Sequence, residues 1–199
     1  MYFYKCSWII FVCCIFFSCT NHMQERIQYT LHQAGENSSE LKKVLDHYQN
    51  QPEKLKAARF LIANIPAHRT YVGKEIDSLK QMKKESIQQG RICDEIVTHW
   101  KSFDYSSSQV VKDIDVIKAD ILIENIDLAF EAWEKRSWSK QYSFEDFCEY
   151  VLPYRIGDEP LEKWRRIYYE RYSPVLDSLY QGNDVVEAAR VMANYLKEE

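Results

Sequence analysis

DILIENIDLAFEAW, residues 120–133, carries the clearest helical signal in the chain. Ile121, Asn125, Leu128, Ala129, Ala132 and Trp133 recur at spacings of three and four, which puts them on one side of a helix that Asp120 would cap. Upstream, Leu41, Val44, Leu45 and Tyr48 repeat the period behind Asn37 and Glu40, a pair at capping-box spacing. Pro52 suits the first turn of a second helix bearing Leu55, Ala58, Leu61, Ile62 and Ile65, and Pro66 stops it. A weaker helix is predicted over 74–89, with Ile76, Leu79, Met82 and Ile87. Gly90 ends it before a segment with Ile92, Ile96 and Trp100.

Downstream, Ser143 and Asp146 sit at cap spacing around Phe144, with Phe147, Cys148 and Val151 following and Pro153 closing the element. Pro160 is placed to open a helix with Leu161, Trp164, Tyr168 and Tyr172, and Pro174 marks a kink or a boundary. Gly182 is a stop, and Asp184 caps a last helix containing Val185, Ala188, Ala189, Met192 and Leu196. Residues 110–117, after Ser106-Ser107-Ser108, read as a short strand or an extended link. These segments predict an all-α (mainly α) array of about seven helices.

Composition agrees. A chain of 199 residues suits one domain, and five glycines with five prolines are too few for a turn-rich β fold. With 26 Lys and Arg against 30 Asp and Glu, the net charge is −4, so no basic surplus points to nucleic acid.

The amino terminus reads as an address. Lys5 precedes an apolar run from Cys6 to Phe17, too short to span a membrane but suited to a secretory signal. Phe16-Phe17-Ser18-Cys19 resembles a bacterial lipobox, with Phe16 where an aliphatic residue is usual. That resemblance implies cleavage before Cys19 and a diacylglycerol on its thiol. It divides the chain into a signal peptide at 1–18, a lipidated tether at 19–38 and a helical domain at 39–199, lipid-anchored in a bacterial cell envelope at a periplasmic or outer-membrane surface. Cys6, Cys13, Cys14 and Cys19 belong to this region, leaving Cys93 and Cys148 as either one bridge or two buried thiols.

Catalytic patterns are sparse. A thiolate nucleophile paired with His and Asp in that order is absent, because the last histidine, His99, precedes Cys148. Cys93 has only His99 after it, six residues on and in the same predicted segment. The reversed order leaves His47, His68 or His99 to meet Cys148 in space. His22, His32, His47, His68 and His99 show no metal-ligand spacing, and no cofactor motif occurs, so neither a metal nor a cofactor is expected.

Two motifs carry both a functional and a structural reading. In the loop Tyr154-Arg155-Ile156-Gly157-Asp158-Glu159-Pro160, Arg155 clamps a ligand carboxylate and Tyr154 stacks on the ligand. Alternatively, Asp158 and Glu159 support the next helix and Arg155 pairs with one of them. From Trp164 to Tyr172, aromatic and basic residues form either a binding strip or a core stripe, with Arg165, Arg166 and Arg171 on or beside its polar side. Trp100, Trp133 and Trp138 likewise read as a glycan platform or as core.

Three stretches also carry a family resemblance: AGENSSELKKVLDHY with PEKLKAARFLIANIPAH, then DILIENIDLAFEAWEKRSW, then SFEDFCEYVLPYRIGDEPLEKWRRIYYERY. They resemble the helical amino-terminal region of transglutaminase-like lipoproteins of Bacteroides and its relatives. In that family the region precedes a papain-like core with the catalytic Cys, His and Asp. The resemblance implies a non-catalytic accessory domain, truncated or acting with a separate core, whose partners are the membrane through Cys19 and that core. An apolar patch near the last helix is then expected, for the core to cover. The other expectation is an independent peptide- or glycan-binding envelope lipoprotein, using 28 aromatic residues among 199.

Overall fold

The computed structural model describes residues 22–89, 98, 102, 108–157 and 159–198. Cys19, Cys93, His99, Trp100 and Asp158 lie outside the described residues. The fold is mainly α, with nine helices and one short two-stranded sheet among the described residues. They run as α1 (22–33), α2 (Ser38–His47), α3 (Pro52–Asn64), β1 (Arg69–Val72), α4 (Lys74–Gln88), β2 (Gln109–Lys112), α5 (Asp113–Val116), α6 (Ala119–Lys135), α7 (Phe144–Asp146), α8 (Trp164–Leu179) and α9 (Val185–Glu198).

The stretch assigned to a tether is a core helix from residue 22 onward. Ile27 and Thr30 of α1 and Ala34 just past it are buried one turn apart, Met23 and Leu31 pack half-buried against the same core, and the rest of α1 is mostly polar. Arg26 donates to the Asn64 side chain at 2.6 Å and to the Ala63 carbonyl at 3.1 Å, tying α1 to the end of α3. The folded domain therefore starts well before residue 39.

At the centre, α6 packs on α2, α3 and α8. Its most deeply buried side chains are Leu122, Ile126, Ala129 and Phe130, with Asn125 and Leu128 also covered. That stripe is rotated by about one residue from the one read in the sequence, since helices on several sides leave α6 no wide solvent face. Tyr48, which follows the last residue of α2, reaches across, its hydroxyl 3.0 Å from both the Ile123 carbonyl and Asp127.

Two predicted caps serve other elements. Asn37 caps nothing in α2; its amide donates to the Ile114 and Ile117 carbonyls at 3.0 and 2.9 Å. Glu40 accepts the Ala119 backbone N–H at 2.9 Å, so it caps α6 across space in the role expected of Asp120. Asp120 instead lies in the first turn of α6 and pairs with Lys163 at 2.8 Å. Ser143 and Asp146 do form the capping box read for α7, and Asp184 accepts the Val186 and Glu187 N–H groups that start α9.

The stretch 110–117 divides into strand and helix. β1 and β2 pair antiparallel from Arg69 opposite Lys112 to Val72 opposite Gln109, and the Asp113 N–H then donates to the His68 carbonyl at 3.1 Å. After α7 the chain widens into a π-helical turn, Phe147–Val151, closed by the Leu152 N–H on the Phe147 carbonyl. Pro160 does not open α8. The Leu161 N–H is taken by the Thr70 hydroxyl at 3.1 Å, and α8 begins only at Trp164, then continues through Pro174 to Leu179.

Candidate functional site

The loop singled out in the sequence turns inward. Tyr154 and Arg155 are buried, and the carboxylate that Arg155 clamps belongs to the chain itself. One guanidinium nitrogen donates to both oxygens of Asp113 at 3.0 Å, and the Tyr154 hydroxyl donates to the same carboxylate at 2.9 Å. The rest of the Arg155 fork reaches the carbonyls of Gly157, at 2.8 and 3.0 Å, and of Arg69. Gly157 holds φ at +58°, a left-handed angle that glycine adopts readily.

Burial pushes the Asp113 carboxyl up from its ordinary value, while the Tyr154 hydroxyl and Arg155 draw it back. His68 meets the Tyr154 ring edge-on at 5.7 Å, and burial together with Arg155 pulls its imidazole below the usual histidine range. Among the described residues Arg155 pairs with Asp113 and not with Glu159, whose carboxylate accepts the Ile156 N–H at 3.5 Å. Tyr154 and Arg155 are committed to a clamp joining the 154–157 loop to the sheet and to α5.

Arg165, placed with the polar residues of α8 in the sequence, also points inward. It donates to Asn125 at 2.9 Å and to the Val151 and Pro153 carbonyls at 2.6 and 3.1 Å, closing off the end of the π-helical turn. Burial lowers its guanidinium to about 10, still charged at neutral pH. Meanwhile Tyr168, expected in the core stripe, is 38% exposed and rings with Trp164 and Tyr172 along a half-covered face.

Cys148 sits in the same π-helical turn, buried and unbridged. Burial, with Glu145 and Glu149 close by, pushes its thiol up to about 12. At neutral pH it is a thiol, and a thiol is a poor nucleophile. Among the described residues, no group of three His, Cys, Asp or Glu side chains is placed to hold a metal ion.

A cleft with different chemistry lies on the far side of that turn. It encloses about 480 Å³ and is walled by Trp133 at the end of α6, Trp138 and Tyr142 around a short 3₁₀ turn, Phe147 and Tyr150 of the π-helical turn, and Val185 at the start of α9. Trp133 stacks on Phe147 at 4.5 Å, which stiffens the floor. The polar groups beneath are already used. Trp133 donates its indole N–H to the Ser139 carbonyl at 2.8 Å, and the Ser139 hydroxyl donates to the Trp133 and Arg136 carbonyls. Arg136, at the rim, is held by Asp177 at 2.8 Å. What remains is an aromatic surface with few free hydrogen-bonding groups. Trp133 and Trp138 were legible as a pair; the contribution of Phe147, Tyr150 and Val185 was not, because the π turn that brings them there leaves no period in the sequence.

The larger cleft between α4, α6 and α8, about 860 Å³, is lined by charges. Most of them are paired with one another: Lys163 with Asp120 and Glu124, Arg166 with Glu124 and Glu170, and Lys80 with Asp77. Paired charges offer a ligand little that they do not already give each other, so the aromatic cleft is the candidate site.

Compared with protein-family models, curated proteins and solved structures, the chain matches none of them.

Proposed function

We propose that this chain is a non-catalytic, lipid-anchored helical module of the bacterial cell envelope that docks a separate protein. The partner the resemblance suggests is a transglutaminase-like core. The observation that carries this reading is the aromatic cleft, whose wall includes the start of the last helix, where such a core would need an apolar surface. Tyr142 and Tyr150 at its edge are 45% and 79% exposed, and Val186, next to Val185, is 64% exposed. The buried, high-pKa thiol of Cys148 supports a binding role over a catalytic one.

The test is affinity capture of the lipidated chain from its own cells, beside a Val185→Glu variant that places an unpaired charge in the cleft. A transglutaminase-like polypeptide retained by the natural chain and lost from the variant is the expected result. A chain that retains no protein and binds no hydrophobic dye overturns the reading.

Peptide binding by an independent lipoprotein is the second reading. Between peptide and glycan, the used polar groups of the cleft favour a peptide with an apolar side chain, since sugar hydroxyls left without partners are costly to bury.

A further inference from the structure

We propose that the face formed by the first turn of α1, the outer side of α3 and the π-helical turn rests directly on the bilayer, against headgroups that carry both an ammonium and a phosphate. The inference builds on lipidation of Cys19, part of the reading above, and adds which surface the anchor presses to the membrane.

Chain length makes the first half of the case. Four peptide steps separate Cys19 from Met23, so their Cα atoms are at most ~14 Å apart. A diacylglycerol on Cys19 fixes that residue near the hydrocarbon boundary, beneath a headgroup layer of about 5–8 Å per leaflet. Met23 then lies within about 10 Å of the membrane surface. Because α1 is built into the core through Ile27, Ala34 and Arg26, the whole domain follows it down.

The surface around Met23 makes the second half. With Met23 and Gln24, a concavity of about 660 Å³ is lined by Lys56, Arg59 and Phe60 of α3 and by Glu145, Glu149 and Tyr150. Lys56 and Arg59 are exposed, with long apolar stems and charged ends suited to lie along an interface. Tyr150, 79% exposed, has the amphipathic ring that membrane boundaries favour. The two cations face the carboxylates of Glu145, Asp146 and Glu149, so the face has no basic surplus. It matches zwitterionic headgroups, and its contact is imposed by the tether rather than by attraction to anionic lipid.

A photo-crosslinking amino acid placed at 56, at 150 or at 81 of the full lipidated chain, reconstituted in phosphatidylethanolamine–phosphatidylcholine vesicles, tests this. Gln81 lines the charged cleft, none of whose walls comes from α1, α3 or the π-helical turn. Lipid adducts at 56 and 150, absent at 81 and unchanged by added salt, are the expected result. Equal labelling at 81, or adducts at 56 and 150 that disappear in salt, overturns the proposal. Mass spectrometry of the amino-terminal peptide separates the two levels. Without diacylglycerol on Cys19 the anchor reading falls and takes this one with it, whereas a lipidated chain without adducts at 56 and 150 removes only the orientation.

Discussion

Asp113 has no exposed surface, and its charge is compensated by a single guanidinium and one tyrosine hydroxyl. Truncating Arg155 leaves a buried carboxylate without its counter-ion, which typically costs 3–5 kcal/mol, about half of a domain's stability. Arg155→Met is expected to lower the urea midpoint accordingly, and Asp113→Leu added to it should recover much of the loss, because the buried charge is then gone. His68 adds a pH dependence. Its folded pKa is depressed, so its contribution is complete above the ordinary histidine value of about 6.5 and declines as pH falls below that, when protonation sets a second cation beside Arg155. Thermal midpoints measured from neutral to mildly acidic pH should fall less steeply for His68→Gln than for the natural chain. The sequence showed Tyr154 and Arg155 as notable residues. It did not show Asp113, which lies 42 positions before Arg155 and meets it only because β2 returns to β1.

At the scale of elements, apolar period located α2, α3, α4 and α6 well, since each buries a stripe three and four residues apart, and it found α9 although only Ala188 of that helix is fully buried among its described residues. It failed on which side of α6 is deepest, because that depends on how many neighbours the helix has. Ile126→Ala should therefore cost about 2–5 kcal/mol, and Ile121→Ala markedly less, in the same denaturation experiment. Local rules found the caps of α7 and α9 but misassigned those of α2 and α6. Asn37 and Glu40 have the spacing of a self-capping pair, yet both turn to the 114–119 segment. Asn37→Ala leaves two inward-facing carbonyls unpaired, with a loss of about 1–3 kcal/mol expected. Its signature is loosened protection of 114–119 in hydrogen exchange while α2 keeps its own.

The molecule as a whole is held unevenly. α1, α2, α3 and α6 share one apolar core, whereas α8 joins it largely through polar contacts: Arg165 to Asn125, Tyr169 to Glu131, and Lys135 and Arg136 to Asp177. Exposed or half-exposed ion pairs contribute about 0–1 kcal/mol each and weaken in salt. α9 packs against α8, and only its Ala188 is fully buried among the described residues of that helix. Opening free energies in native-state hydrogen exchange should therefore rank α9 lowest, α8 next, and α2, α3 and α6 highest, with added salt widening the gap. Equal protection across all helices would contradict this division. The same gradient bears on function, because Val185 in the first turn of α9 is a wall of the aromatic cleft. A partner seated there binds only the arrangement in which α9 is docked, so occupancy must raise the protection of α9 by mass action. Saturating partner that leaves α9 exchange unchanged would place the docking surface elsewhere on the molecule.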